Sequence, residues 1–319
     1  MKKNQYSILA FIVLFLMLGY FMMASLNKSN DLHVFDIDSP SELKNFFKYQ
    51  EGQGPLISSH RGGMREGFPE NVLETFENTI RHTWSLMEVD PRYSKDSSIV
   101  LFHDNTLNRT STGTGRVSDY TLEELKNFNL TDPLGNVTDF TMPTLDEALK
   151  WAKGKTILFL DSKDVPVEAR VRKIQEHNAQ SYAVIMAYSL EDAKRCYEMD
   201  PDIMMQIFMS DKAAVARFEE TGIPWENVIG FVTHMQPKES DIFQVINNNG
   251  AMAVMGSSRT IDRAFTNGEI DEYEMKNRYE ALVKTGANII EADLSLEASK
   301  ALENLRNQAT AKQHYFIYD

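Results

Sequence analysis

The sequence predicts a (β/α)8 TIM barrel, carrying a small insertion after an extra β-hairpin and preceded by an N-terminal transmembrane helix. Two observations point to the barrel. Eight short apolar segments rich in Val, Ile, Leu, Phe and Met alternate with longer stretches of helical character, which is the pattern of a parallel sheet crossed by helices. Residues 55–319 also match the roughly 250 residues that one such barrel takes. The anchor follows from the N-terminal residues alone.

In chain order, Lys2 and Lys3 precede an apolar run over 8–26 broken only by Gly19, Tyr20 and Ser25. About 20 apolar residues span a bilayer core, so the run is long enough. Met22-Met23-Ala24 is a poor cleavage site and no cysteine lies near it to be acylated, so residues 1–27 read as an uncleaved single-pass anchor. The two lysines would stay in the cytoplasm, placing the rest outside the cell membrane. Residues 28–54 read as a polar linker with one short amphipathic piece (Leu43, Phe46, Phe47).

The predicted barrel strands are 56–60, 86–91, 156–162, 182–187, 203–208, 228–233, 251–256 and 288–293. Val72, Phe76, Ile80 and Trp84 recur every fourth residue and give the first helix an apolar stripe. Thr144-x-x-Glu147 and Ser189-x-x-Asp192 read as capping starts of later helices. The five residues 94–98 leave no room for a crossover helix, so 86–93 and 99–103 should form an antiparallel hairpin. A turn centred between Asp96 and Ser97 would set Asp90 opposite His103. Residues 105–141, with Gly113-Thr114-Gly115 and Asp132-Pro133, read as an insertion on the barrel top, where such loops often cover substrate.

Charge narrows the partners. Lys plus Arg total 33 against 46 Asp plus Glu, a net −13, which argues against nucleic acid and requires a local cation cluster for any phosphate ligand. Cys196 is the only cysteine, so no intramolecular disulfide forms. Its place in a helical pattern makes it an inert core residue.

Polar residues stand where the apolar strands stop, as in barrel active sites. Glu88 and Asp90 are two apart on one strand and project from one face, as do Asp161 and Lys163 on the next. Three neighbouring carboxylates, Glu88, Asp90 and Asp161, would repel one another without a cation. Their all-oxygen donors suit Ca2+ or Mg2+ rather than zinc. His60 and His103 end strands beside these carboxylates, with Arg61 next to His60.

His60-Arg61-Gly62, Pro69-Glu70-Asn71, Glu88-Val89-Asp90, the Lys95-Asp96 turn and His103-Asp104 follow one another within about fifty residues. This order resembles the glycerophosphodiester phosphodiesterase family. Asn108-Arg109-Thr110, Met142-Pro143-Thr144-Leu145-Asp146-Glu147 and Leu160-Asp161-Ser162-Lys163 continue the resemblance. It implies a phosphoric diester hydrolase that cleaves glycerophosphodiesters to glycerol 3-phosphate and an alcohol. His60 and His103 would be the acid–base pair, Arg61 and Lys163 the phosphate clamp, and Glu88, Asp90 and Asp161 the ligands of one divalent cation. Which histidine is acid and which base stays open. Two positions depart from the family: Asp161 stands where Glu is usual, and Val72 where Thr is usual. Glu70 would tie the loop after His60, while His234, Arg259 and Asp293 stand at barrel-top positions open to substrate. The alternatives are a phospholipase C- or D-type enzyme on intact lipid, marked by a broad apolar rim, and a binding module for phosphorylated head groups.

Overall fold

The computed structural model describes residues 31–318; the apolar run over 8–26 lies outside them. Among the described residues no helix is long and apolar enough to cross a membrane. The strands are β1 (His33–Phe35), β2 (Leu56–Ser59), β3 (Leu86–Val89), β4 (Pro91–Tyr93), β5 (Ile99–Leu101), β6 (Asn129–Thr131) and β7 (Val137–Thr141). They continue with β8 (Leu158–Leu160), β9 (Ala183–Ala187), β10 (Met204–Phe208), β11 (Val228–Thr233), β12 (Ala253–Gly256), β13 (Ile289–Ala292) and β14 (Phe316–Tyr318). Eight of them, β2, β3 and β8 to β13, close a parallel barrel in sequence order, with β13 pairing back onto β2. Each coincides with one of the eight predicted segments.

Alternation along these strands sorts the core into two layers. Leu56, Leu86, Ile157, Phe159, Val184, Met186, Met204, Ile229, Phe231, Met252, Val254 and Ile289 form one cluster within the barrel. The intervening residues, among them Ile57, Met87, Val89, Leu158, Leu160 and Ile185, pack against the surrounding helices. Helix Leu73–His82 buries Phe76 and Ile80 as the stripe predicts. Trp84 falls beyond it, because Thr83 ends the helix in extended conformation. Thr144 caps helix Leu145–Ala152 in a full capping box. Ser189 caps Leu190–Met199 by accepting from the Asp192 N–H alone.

Three expectations are corrected. First, the stretch read as linker is folded from residue 31 on. β1 pairs with β14, His33 opposite Tyr318. Helix Pro40–Phe47 starts in a Ser39/Glu42 capping box and buries Leu43, Phe46 and Phe47. These rings join the barrel's inner cluster, Phe47 meeting Phe159 at 5.8 Å. The barrel's lower mouth exposes an apolar layer, and the N- and C-terminal segments cover it.

Second, the hairpin register is shifted by one. Pro91 faces Leu101 and Tyr93 faces Ile99, so Asp90 lies opposite Phe102, whose N–H donates to the Asp90 carbonyl at 2.9 Å. The turn has three residues between Ser94 and Ser98, with Ser97 left-handed at φ 61°. That is the three-residue hairpin loop rather than the two-residue one.

Third, the insertion does not roof the pocket. It folds on its own cluster (Leu107, Val117, Leu125 and Leu130 with Val100, Phe102 and Val72) beside the barrel, and none of its residues lines the site cavity. Val72 precedes its helix without a side-chain cap. Where Thr would cap, this apolar side chain fills the seam under the insertion.

Candidate active site

The site is the upper continuation of the barrel's inner series. Glu88 and Asp90 follow Leu86, Asp161 follows Ile157 and Phe159, and Glu291 follows Ile289. A cavity of about 350 Å3 is lined by His60, Arg61, Glu88, His103, Asp161 and Lys163. Met186, Tyr188, Phe208, Phe231, His234, Ser258, Arg259, Arg263, Glu291 and Asp293 complete the wall. All seven predicted site residues are brought together: Asp90 does not line the cavity, but its carboxylate bonds the group behind it.

Arg61, Gly62 and Gly63 all have positive φ (52°, 85° and 86°), a strained turn that holds His60 over the strand end. A Cβ on Gly62 would lie 2.1 Å from the Phe76 ring. Gly62→Ala is therefore expected to destabilise the fold by about 3 kcal/mol, from left-handed strain and a ring it cannot clear. A thermal melt should show the loss as a fall of roughly 5–10 °C.

Each motif residue has a definite partner. The Arg61 N–H donates to Glu88 Oε2 at 2.8 Å. Asn71, left-handed at φ 61°, donates to Asp90 Oδ2 at 2.5 Å and accepts the Asp90 N–H at 3.0 Å. Glu70 accepts from Arg61 Nη1 at 3.0 Å and from Arg109 Nη2 at 2.7 Å. It thus ties the loop after His60, as expected, and is not among the clustered carboxylates. Asp96 accepts from Ser94 and from the Leu122 N–H, a structural role for the Lys-Asp turn. Arg92, which sequence reasoning missed, donates to the His103 carbonyl at 2.7 Å and to Asp164 at 2.9 Å, pinning two site loops.

Both histidines are oriented by carboxylates. His60 Nδ1 lies 2.5 Å from Asp293 Oδ1, and His103 Nδ1 lies 2.7 Å from Asp104 Oδ1. Burial would discharge His60, but the Asp293 hydrogen bond and the Glu88 and Glu291 carboxylates outweigh it and raise its pKa to about 10. Burial lowers His103 instead, against the pull of Asp90 and Asp104, with Arg61 and Lys163 adding to the fall. Asp293 stands at the barrel top and lines the cavity, and its partner there is His60.

Glu88, Asp90 and Asp161 offer oxygens within 4.8 Å of one another, all buried. Burial and the neighbouring Asp90, Asp161 and Glu291 charges push Glu88 well above the carboxylate range, while the His60 charge opposes them. Asp90 is also buried, but Lys163, His103 and Arg61 outweigh that and hold it low. Lys163 lies 3.0 Å from Asp90 Oδ1 and also bonds Asp161. Tyr188 donates to the other Asp161 oxygen. This buried all-oxygen set, with repulsion raising one member's pKa, fits a hard divalent cation.

Glu291 escaped the sequence reading. It is buried, and burial with the Asp161, Asp293 and Asp90 charges lifts it to about 7 against the pull of His60. A carboxylate at every second place in Ile289-Ile290-Glu291-Ala292-Asp293 was the available signal. His234 follows β11, with its ring over Gly256, where a Cβ would come within 2.0 Å of it. Burial, Arg259 and His60 lower its pKa to about 4. Cys196 is buried in its helix, and burial pushes the thiol up to about 12. His33 bonds the Ile80 carbonyl and His177 bonds Asp146, both outside the cavity.

A barrel mouth that gathers two carboxylate-steered imidazoles and paired cations defines a hydrolase for anionic esters. Residues 60–285 match the model of the glycerophosphoryl diester phosphodiesterase family. A crystal structure of a glycerophosphoryl diester phosphodiesterase from Parabacteroides distasonis superposes with a TM-score of 0.86 at 39% identity, covering 90% of this chain and all of that one. The chain belongs to this family of phosphoric diester hydrolases. The glycerophosphodiester phosphodiesterase of Caldanaerobacter subterraneus is 30% identical over 151 residues, which span 44% of this chain and 62% of the relative. An Oleispira antarctica phosphodiesterase, solved in complex with the product sn-glycerol-3-phosphate, shares the fold at a TM-score of 0.59 and 19% identity, covering 82% of this chain and 99% of that one.

Proposed function

We propose that this protein hydrolyses glycerophosphodiesters to glycerol 3-phosphate and an alcohol, with His60 and His103 as the acid–base pair. The observation that carries the reading is the pair of imidazoles on one cavity, each bound by a carboxylate through Nδ1. Phosphodiester hydrolysis needs one group to take a proton from the attacking water and another to give one to the leaving alkoxide. Asp293 and Asp104 fix the Nδ1 side of each ring, so each Nε2 is the atom left for proton transfer. Arg61 lines the cavity, its Nη1 held by Glu70 at 3.0 Å and its Nε 3.8 Å from Asp90 Oδ2. With Lys163 it offers charge-assisted donors to the non-bridging phosphate oxygens.

Glu88, Asp90 and Asp161 would hold one divalent cation, Ca2+ or Mg2+, which supplies Lewis-acid neutralisation of the phosphate's developing charge. The Arg61 N–H and Asn71 steer two of these carboxylates, and such outer partners set ligand orientation. The cavity mouth carries Arg259 and Arg263 beside Tyr188 rather than a broad apolar rim, which favours a water-soluble diester over intact lipid. The test is hydrolysis of a panel of glycerophosphodiesters and lysolipids by the full-length protein, before and after chelation and re-addition of Ca2+ or Mg2+. Release of glycerol 3-phosphate is expected. Turnover of lysolipids alone would overturn the substrate assignment.

Residues 1–27 serve in this reading as a cell-membrane anchor, supported by the Lys2-Lys3 start and the apolar run over 8–26. The barrel would then work outside that membrane, on the periplasmic or extracellular side. Protease added to intact cells or spheroplasts is expected to release the barrel. Full-length protein in the soluble cytoplasmic fraction would contradict both anchor and orientation.

A further inference from the structure

The wall of the cavity opposite Asp161 and Lys163 carries two cations, Arg259 and Arg263, that take no part in the acid–base pair, the phosphate clamp or the carboxylate cluster. In the closed ring β12 stands four strands from β8, so the segment following β12 faces the Asp161–Lys163 loop across the mouth. That segment is a π-helix, Ser258–Asp262, continued by the short helix Arg263–Thr266. Arg259 and Arg263 stand four residues apart on it, both exposed and both lining the cavity. Neither guanidinium makes a hydrogen bond or ion pair with any described residue. In a chain of net charge −13, surface arginines have carboxylates readily to hand. Arg61 and Arg109 both hold Glu70, and Arg92 holds Asp164.

The two arginines are held in place from below. Asp262, buried, accepts the Asp293 N–H at 2.7 Å, the Ser257 hydroxyl at 3.0 Å and the Tyr279 hydroxyl. The Ser257 N–H donates to the Glu291 carbonyl at 2.8 Å. The wide turn is therefore fastened to the strand that bears Glu291 and Asp293, and π-turns of this kind recur at functional sites. Between the arginines and the Lys163 side runs an aromatic wall. Tyr188 meets Phe208 at 4.8 Å, Phe208 meets Phe231 at 4.9 Å and Phe231 meets His234 at 4.8 Å. A substrate whose scissile phosphate sat by Arg61 and Lys163 would have this wall to run along toward Arg259 and Arg263.

We propose that Arg259 and Arg263 form a second anion subsite, and that the alcohol half of the preferred substrate carries a carboxylate or a further phosphate. This rests on the phosphodiesterase reading and adds the class of leaving group. Two exposed arginines contribute together on the order of 10-fold in kcat/KM, the sum of two surface ion pairs. The effect falls as ionic strength rises.

Glycerophosphoserine and glycerophosphoethanolamine differ by one carboxylate and make a matched pair for the full-length protein in detergent. The wild type is expected to prefer the serine ester by about 10-fold in kcat/KM at low salt. The preference should fall toward parity in the Arg259→Gln/Arg263→Gln double variant and survive largely in Arg259→Lys/Arg263→Lys. Glycerophosphoglycerol with and without a terminal phosphate separates the two anions: preference confined to one pair assigns the subsite to carboxylate or to phosphate. Thermal melts confirm that the variants fold. Equal turnover within both wild-type pairs, a preference for ethanolamine or choline esters, or a preference unchanged in the double Gln variant overturns the subsite and leaves the phosphodiesterase reading standing. Hydrolysis of none of the diesters with Ca2+ or Mg2+ present overturns both.

Discussion

His60→Ala and His103→Ala are each expected to lower kcat by about 10²-fold or more, the span that general acid–base groups contribute. The reason is the geometry around each ring. Asp293 and Asp104 hold the two imidazoles by Nδ1 at 2.5 and 2.7 Å. Under the proposed mechanism, removing either ring would delete a proton-transfer atom whose direction the fold has already set. The fold should survive both changes, because the two side chains are 20 and 30% exposed and fill little core. Steady-state kinetics on a glycerophosphodiester, with a thermal melt for each variant, makes the measurement. Near-wild-type kcat in one variant removes that histidine from the mechanism.

Asp161→Ala is expected to abolish metal-dependent turnover, a loss of 10²-fold or more given the several kcal/mol that a Lewis-acid cation supplies. Asp161 is one methylene shorter than the glutamate usual in the family, and its oxygens already hold Lys163 and Tyr188. Such a ligand favours the ion that tolerates longer, irregular contacts: Ca2+ accepts about 2.3–2.6 Å, whereas Mg2+ needs near-ideal octahedral distances of about 2.1 Å. Asp161→Glu should accordingly tighten the metal or shift the Ca2+/Mg2+ preference. Activity titrated with each ion after chelation, for wild type and both variants, reads this out. If Asp161→Ala titrates like the wild type, Asp161 is no ligand.

The barrel was legible because its code is local. Each strand announces itself by an apolar run and each helix by its stripe or cap, so eight segments and their order follow from residues close in sequence. The hairpin was legible for the same reason, yet its register was not. Whether Ser97 takes a left-handed conformation decides between a two- and a three-residue loop, and Ser carries no strong preference for it. The folding of residues 33–47 was signalled by Ser39-Pro40-Ser41-Glu42 and by Leu43, Phe46 and Phe47. What the stripe packs against, the open lower mouth, exists only in the closed barrel.

The sequence by itself determined the class of chemistry. Carboxylates at alternate strand positions share a face whatever surrounds them, so Glu88 with Asp90, and Asp161 with Lys163, were paired before any fold was known. The tertiary structure alone decided who meets whom across the ring. Asp293 reaches His60 from 233 residues away, and Glu291 joins the carboxylates. Those contacts arise because closing the sheet brings the last strand beside the first. Charge–charge interactions then act over a few ångströms of space, in a buried mouth that water screens weakly, whatever the separation along the chain.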